Sequence, residues 1–96
     1  MPYIKQEDRL KYDKQIDSLV EELSKCDKQN IKGHHNYIMF TLALKLLKHL
    51  GKRYATLQDI MGTFESCKLE FYRRIVGPHE DHAVWKNGDV KEIDEL

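Results

Sequence analysis

The sequence predicts an all-α fold: a small three-helix bundle with a central helical hairpin, followed by a short C-terminal helix or hairpin. Two observations lead to this prediction. Apolar residues recur every three or four positions over three long segments, which is the period of amphipathic helices. Glycines separate these segments, as they commonly do at helix ends. We expect one domain, residues 1–96, with an N-terminal arm (1–12), main helices (13–26, 35–50 and 55–76) and a C-terminal segment (78–96).

The first predicted helix, residues 13–26, has a narrow apolar stripe formed by Ile16, Leu19, Val20 and Leu23. Asp13 suits the N-cap position, because its carboxylate can accept a backbone N–H of the first turn. The following polar segment ends at Gly33 and predicts a loop.

The second predicted helix, residues 35–50, is apolar on nearly every side, with the run NYIMFTLALKLLKHL. Such a helix must be covered on several sides, and a chain this short can hardly provide the cover alone. We therefore expect a homo-oligomer assembled through helices two and three. The alternative is a central helix covered by its own neighbours.

The third predicted helix, residues 55–76, carries a long apolar stripe from Leu57 to Ile75. Thr56 and Asp59 have the spacing of a capping box, which marks a helix start. Since few residues separate helices two and three, we expect them to form the antiparallel hairpin.

The C-terminal segment allows two interpretations. Pro78 fits the first position of a helix, and Asn87-Gly88 fits its end. Asn-Gly between HAVW and VKEI is also a strong signal for a β-hairpin. We favour the helix and keep the hairpin as the alternative.

Composition excludes several classes of protein. Sixteen basic and sixteen acidic residues cancel, so no net field attracts nucleic acid or an anionic membrane. The start, MPYIKQEDR, has charges where a signal peptide needs an apolar segment. Cys26 and Cys67 lack a C-x-x-C spacing and are interpreted as reduced thiols. Together these features predict a cytoplasmic protein.

Several ordered motifs carry a resemblance to a known family. They are MPYIKQEDR at the start, Asn-Tyr at 36–37, YATLQDIMG at 54–62, LEFYRR at 69–74, Pro78, Glu-Asp at 80–81 and Asn-Gly-Asp-Val at 87–90. The chain resembles an uncharacterised family of short helical proteins from prokaryotes and their phages. The resemblance spans nearly the whole chain and implies no catalytic residues.

The end of the third helix offers a candidate ligand site. Its cationic and aromatic residues are Lys68, Tyr72, Arg73, Arg74, His79 and Trp85. A Glu70–Arg74 pair, four residues apart, explains one arginine structurally. The other arginine presents a planar fork suited to phosphate or carboxylate. At a subunit boundary these residues predict a pocket for a small anionic or nucleotide ligand.

His79 and His82 are weak candidates for a metal site. They are three residues apart and share one helical face beside Glu80 and Asp81, but HEDH is not the H-E-x-x-H motif. An exposed polar turn is the simpler interpretation. We expect no cofactor.

These features predict a non-catalytic binding or interaction protein that captures a partner or a small anionic ligand at an oligomer interface, in the manner of a sponge. One alternative is a metal-dependent enzyme that uses His79, His82 and an acid. Another is a purely structural assembly protein.

Overall fold

The computed structural model describes residues 3–96 and is all-α, as predicted. Four α-helices follow one another: α1 (Gln6–Ser24), α2 (Ile31–Leu50), α3 (Tyr54–Phe71) and α4 (Gly77–Asn87). A π-helical turn (Tyr72–Val76), called the π-turn below, joins α3 to α4, and a short 3₁₀ helix (Lys91–Glu95) follows α4. No strand occurs within residues 3–96, so the β-hairpin alternative for the C-terminal segment is wrong.

Backbone contacts divide the chain into two units, Met1–Met61 and Gly62–Leu96. The first contains α1, α2 and the start of α3, and the second contains the rest of α3 together with the π-turn, α4 and the 3₁₀ helix.

α1 begins at Gln6, seven residues before the predicted start at residue 13. Glu7 and Asp8 occupy its first turn, where the helix dipole favours acidic side chains. The backbone N–H of Asp8 donates to the carbonyl of Lys5 over 2.9 Å. Most of the predicted N-terminal arm is therefore helical, and Asp13 lies inside α1; residues 1 and 2 of that arm lie outside the described range.

α2 begins at Ile31, four residues earlier than predicted. The carbonyl of Asp27 accepts the N–H groups of Asn30 and Ile31, at 2.9 and 3.1 Å, and this turn leads the chain directly into the helix. Gly33 is therefore helical instead of lying in a loop. A glycine inside a helix lowers the stability of the helix by only about 1 kcal/mol relative to alanine. The other residues of the twenty-residue helix α2 offset this loss.

The helical hairpin of the first unit is formed by α1 and α2, one helix earlier than predicted. Residues 25–30 reverse the chain between them. The connection from α2 to α3 is only residues 51–53, where Gly51 adopts φ 94° and ψ 141°. α3 then begins at Tyr54, so Thr56 lies in its first turn instead of at its N-cap.

No apolar side chain is buried among residues 3–96, and Thr56, at 6% exposure, is the one buried residue in that range. The apolar stripes that predicted the helices are therefore largely in contact with solvent.

None of the helices described is long and apolar enough to cross a membrane.

Candidate functional site

The candidate residues lie on one continuous stretch of helix in the second unit. The predicted break at Gly77-Pro78 is wrong, because α3 passes through the π-turn into α4 without interruption. The N–H of Gly77 donates to the carbonyl of Tyr72, five residues earlier. This wider turn explains how Pro78 is accommodated, since in a regular α-helix its ring would clash with the carbonyl of Arg74.

Gly77 is needed where the π-turn closes. A Cβ at this position would lie 3.3 Å from the carbonyl oxygen of Tyr72. The backbone of Gly77 is otherwise ordinary helix, with φ −55° and ψ −54°. Glycine is therefore favoured here by close approach of the backbone and not by an unusual conformation.

Two cations of the candidate site are held by carboxylates one turn earlier. Arg73 Nη2 lies 2.5 Å from Glu70 Oε1, and Lys68 Nζ lies 3.1 Å from Glu65 Oε1. Glu70 thus pairs with Arg73, three residues later. The side chain of Arg73 is 71% exposed and that of Glu70 is 21% exposed, so the guanidinium extends into solvent while the carboxylate is partly covered.

The aromatic residues provide exposed ring surface. Trp85, the single tryptophan of the chain, is 81% exposed, and Tyr72 is 54% exposed. The imidazole of His82 lies beside the indole, with ring centroids 5.7 Å apart and an interplanar angle of 31°. Sequence reasoning linked Trp85 to the arginines and missed its contact with His82, although their separation of three residues on a helix signals a shared face.

The histidines do not form part of a larger ligand cluster. Over residues 3–96, no group of three or more His, Cys, Asp or Glu side chains is arranged to hold a metal ion. His82 contacts an aromatic ring instead.

A concave region lies in the first unit, at the end where α1 and α2 are connected. It has a volume of about 330 Å³. Side chains from both helices and their connection line it, among them Leu19 and Leu23 of α1, Cys26 of the connection, and His34, Tyr37 and Ile38 of α2. Leu23, Cys26 and Ile38 are half-buried here, which identifies the sides of α1 and α2 that face each other. Cys26 and Cys67 are both free thiols.

Residues 1–90 match the family described as Domain of unknown function (DUF6899). The chain belongs to this family. No curated protein matches the chain, and no solved structure matches it. The expectation of an uncharacterised family is therefore confirmed, while the DUF6899 match assigns neither a ligand nor a reaction.

Proposed function

We propose that this DUF6899 protein is a non-catalytic binding protein that works as a homo-oligomer. It captures a partner or a small anionic ligand, such as a nucleotide, and holds the ligand without converting it. The ligand binds where Arg73 and the residues around it meet a neighbouring copy; these residues are Lys68, Tyr72, Arg74, His79 and Trp85. The prokaryotic or phage setting expected from the resemblance is part of this proposal.

The observation that supports the oligomer is the absence of buried apolar side chains among residues 3–96. Burial of apolar surface is the main favourable contribution to folding, so these helices need cover to form a stable protein. Obligate homodimer interfaces bury about 2,000–5,000 Å² in total and are rich in apolar residues, as these exposed stripes are.

The chemistry of the second unit supports an anionic ligand. A guanidinium has five N–H donors in a fixed fork. Arg73 Nη2 donates a hydrogen bond to Glu70 Oε1. An exposed ion pair contributes at most about 1 kcal/mol, so a phosphate can compete with this carboxylate. Trp85 and Tyr72 add exposed rings on which a base can stack.

Two measurements test the proposal. Light scattering after size exclusion should give a mass that is a multiple of the 11.4 kDa chain. Thermal denaturation with ATP, a cyclic dinucleotide or inorganic phosphate should show stabilisation by at least one probe, since a ligand at a hundredfold excess over Kd contributes about 2.7 kcal/mol.

Arg73→Gln should reduce the stabilisation, whereas Arg9→Gln, which removes a cation of α1 in the first unit, should leave it unchanged. A monomer at all concentrations would overturn the oligomer. Equal loss of stabilisation in both variants would remove the Arg73 site.

A further inference from the structure

The side of α2 that faces away from α1 has the spacing of a coiled-coil seam. Its positions alternate steps of three and four residues: Asn36, Met39, Ala43, Leu46 and Leu50. This is the a/d pattern by which helices pack along a shared stripe. Phe40 and Leu47 flank the seam and widen it. Below, "the α2 seam" means these seven residues.

The α2 seam is not the surface that α1 covers. His34, Tyr37 and Ile38 line the cavity with α1. An α-helix turns about 100° per residue, which places the centre of the α2 seam roughly opposite those three side chains. The hairpin therefore covers one side of α2, and the α2 seam lies on the other.

Four of the larger apolar side chains of the α2 seam are open to solvent, and Leu47 is half-buried. Met39, Phe40, Leu46 and Leu50 are 40%, 60%, 45% and 48% exposed. Residues 33–44 contain no Asp, Glu, Lys or Arg. Much of the α2 seam therefore has no charged side chain beside it that would favour exposure to solvent. Depletion of charge at the centre of an apolar patch is typical of a protein interface.

We infer that the α2 seam is the interface between two copies of this chain, packed α2 against α2. Two α1–α2 hairpins then form a four-helix arrangement, with both α2 helices inside. A second copy is the occupant that the pattern favours, because a stripe with a/d spacing and few charges is complementary to itself, and a symmetric contact buries the same patch on both partners. Asn36 is the one polar position of the seam, and a polar residue at such a position specifies register.

The inference rests on the proposed function, because both require a homo-oligomer. A cross-linking experiment separates them. Ala43 is the middle a/d position of the α2 seam, so in a two-fold pair centred on it, Ala43 of one copy lies near Ala43 of the other whether the helices run parallel or antiparallel. Disulfides form when Cβ atoms are about 3.5–4.5 Å apart.

In a chain carrying Cys26→Ser and Cys67→Ser, Ala43→Cys should give, under mild oxidation, a covalent dimer of twice the 11.4 kDa chain mass. Leu10→Cys in the same background is the control, because Leu10 is on α1 and 73% exposed. If the wild type is an oligomer and Ala43→Cys cross-links no better than Leu10→Cys, the α2 interface is wrong and the proposed function stands. If the wild type is a monomer, both are wrong.

Charge insertion provides a second test that does not depend on disulfide geometry. Leu46→Glu should raise the dissociation constant of the oligomer by at least about tenfold, because it buries an unpaired carboxylate. Leu10→Glu makes the same change at an exposed leucine and should leave the constant unchanged. Circular dichroism on both variants distinguishes dissociation from loss of helix. A folded Leu46→Glu variant with the wild-type mass would overturn the inference.

Discussion

The backbone N–H of Gly77 donates to the carbonyl oxygen of Tyr72, and a Cβ added to Gly77 would lie 3.3 Å from that oxygen. The same glycine thus closes the π-turn, and a side chain at this position would approach the Tyr72 carbonyl closely. Its environment differs from that of Gly62 in α3, where nothing lies within 4 Å of an added Cβ.

This difference predicts unequal effects of alanine. Gly62→Ala should raise the free energy of unfolding by up to about 1 kcal/mol, because alanine is the better helix former. Gly77→Ala should gain less than Gly62→Ala, or lose stability, since the Tyr72 carbonyl must shift. Urea denaturation at one protein concentration measures both variants. Equal gains in the free energy of unfolding would show that the Tyr72 carbonyl can shift without destabilising the protein.

The end of α2 predicts a second glycine effect. Gly51 has φ 94°, a conformation that side-chain-bearing residues adopt only with strain. Gly51→Ala should therefore cost about 1–2 kcal/mol in the free energy of unfolding. Gly33→Ala, inside the same helix with open space around its Cβ, is the control and should not destabilise. Loss of stability in both variants would indicate that a side chain at position 33 meets neighbouring atoms, contrary to the open space around Gly33.

Stability should depend on protein concentration. If the apolar stripes are covered only in the oligomer, assembly stabilises the folded state by mass action. Raising the concentration of a dimer by roughly tenfold then adds about 1.4 kcal/mol. Differential scanning calorimetry over a series of concentrations should show Tm rising steadily. A constant Tm, alongside a mass of 11.4 kDa, would contradict the oligomer.

The Glu70–Arg73 pair predicts an effect on ligand affinity. Glu70→Gln removes the negative charge that competes for Arg73, so phosphate or ATP should bind more tightly by about 0.5–1 kcal/mol. Glu22→Gln is the control, because it breaks a pair of the same spacing in α1, between Lys25 Nζ and Glu22 Oε1 at 3.0 Å. Isothermal titration calorimetry measures both. Tighter binding in both variants would point to the general charge of the protein and away from Arg73.

The sequence was sufficient for the fold class and for the end of α4. Apolar periodicity predicted helices where α1, α2 and α3 occur, and Gly88, at φ 87°, follows α4 as Asn87-Gly88 indicated. Helix starts were predicted less well. Asp13 imitates an N-cap although α1 begins at Gln6, because the first turns of α1 are mostly polar and show no apolar period.

The candidate site was predicted only in part. Whether Arg73 and the residues around it bind a ligand stays a prediction, but the ion pair of Arg73 with Glu70 was not predicted. The π-turn, which begins immediately after Phe71, was not predicted either. Gly-Pro usually marks the end of a helix, and the dipeptide alone does not distinguish such an end from a widened turn that continues it. Contact between His82 and Trp85 follows from their spacing of three residues on the helix that the sequence favoured, but the β-hairpin alternative for the same residues does not imply it.

The π-turn also determines how the helix responds to a change in chain length. A π-turn takes up about one residue more than an α-turn. Deleting one residue within Tyr72–Val76 would convert it to an α-turn, with His82 and Trp85 keeping their direction around the helix axis relative to α3. Deleting one residue inside α3, such as Ser66, would instead rotate everything beyond it by about 100°. The second unit can therefore lose a residue at one place without changing which side of the helix carries its aromatic pair.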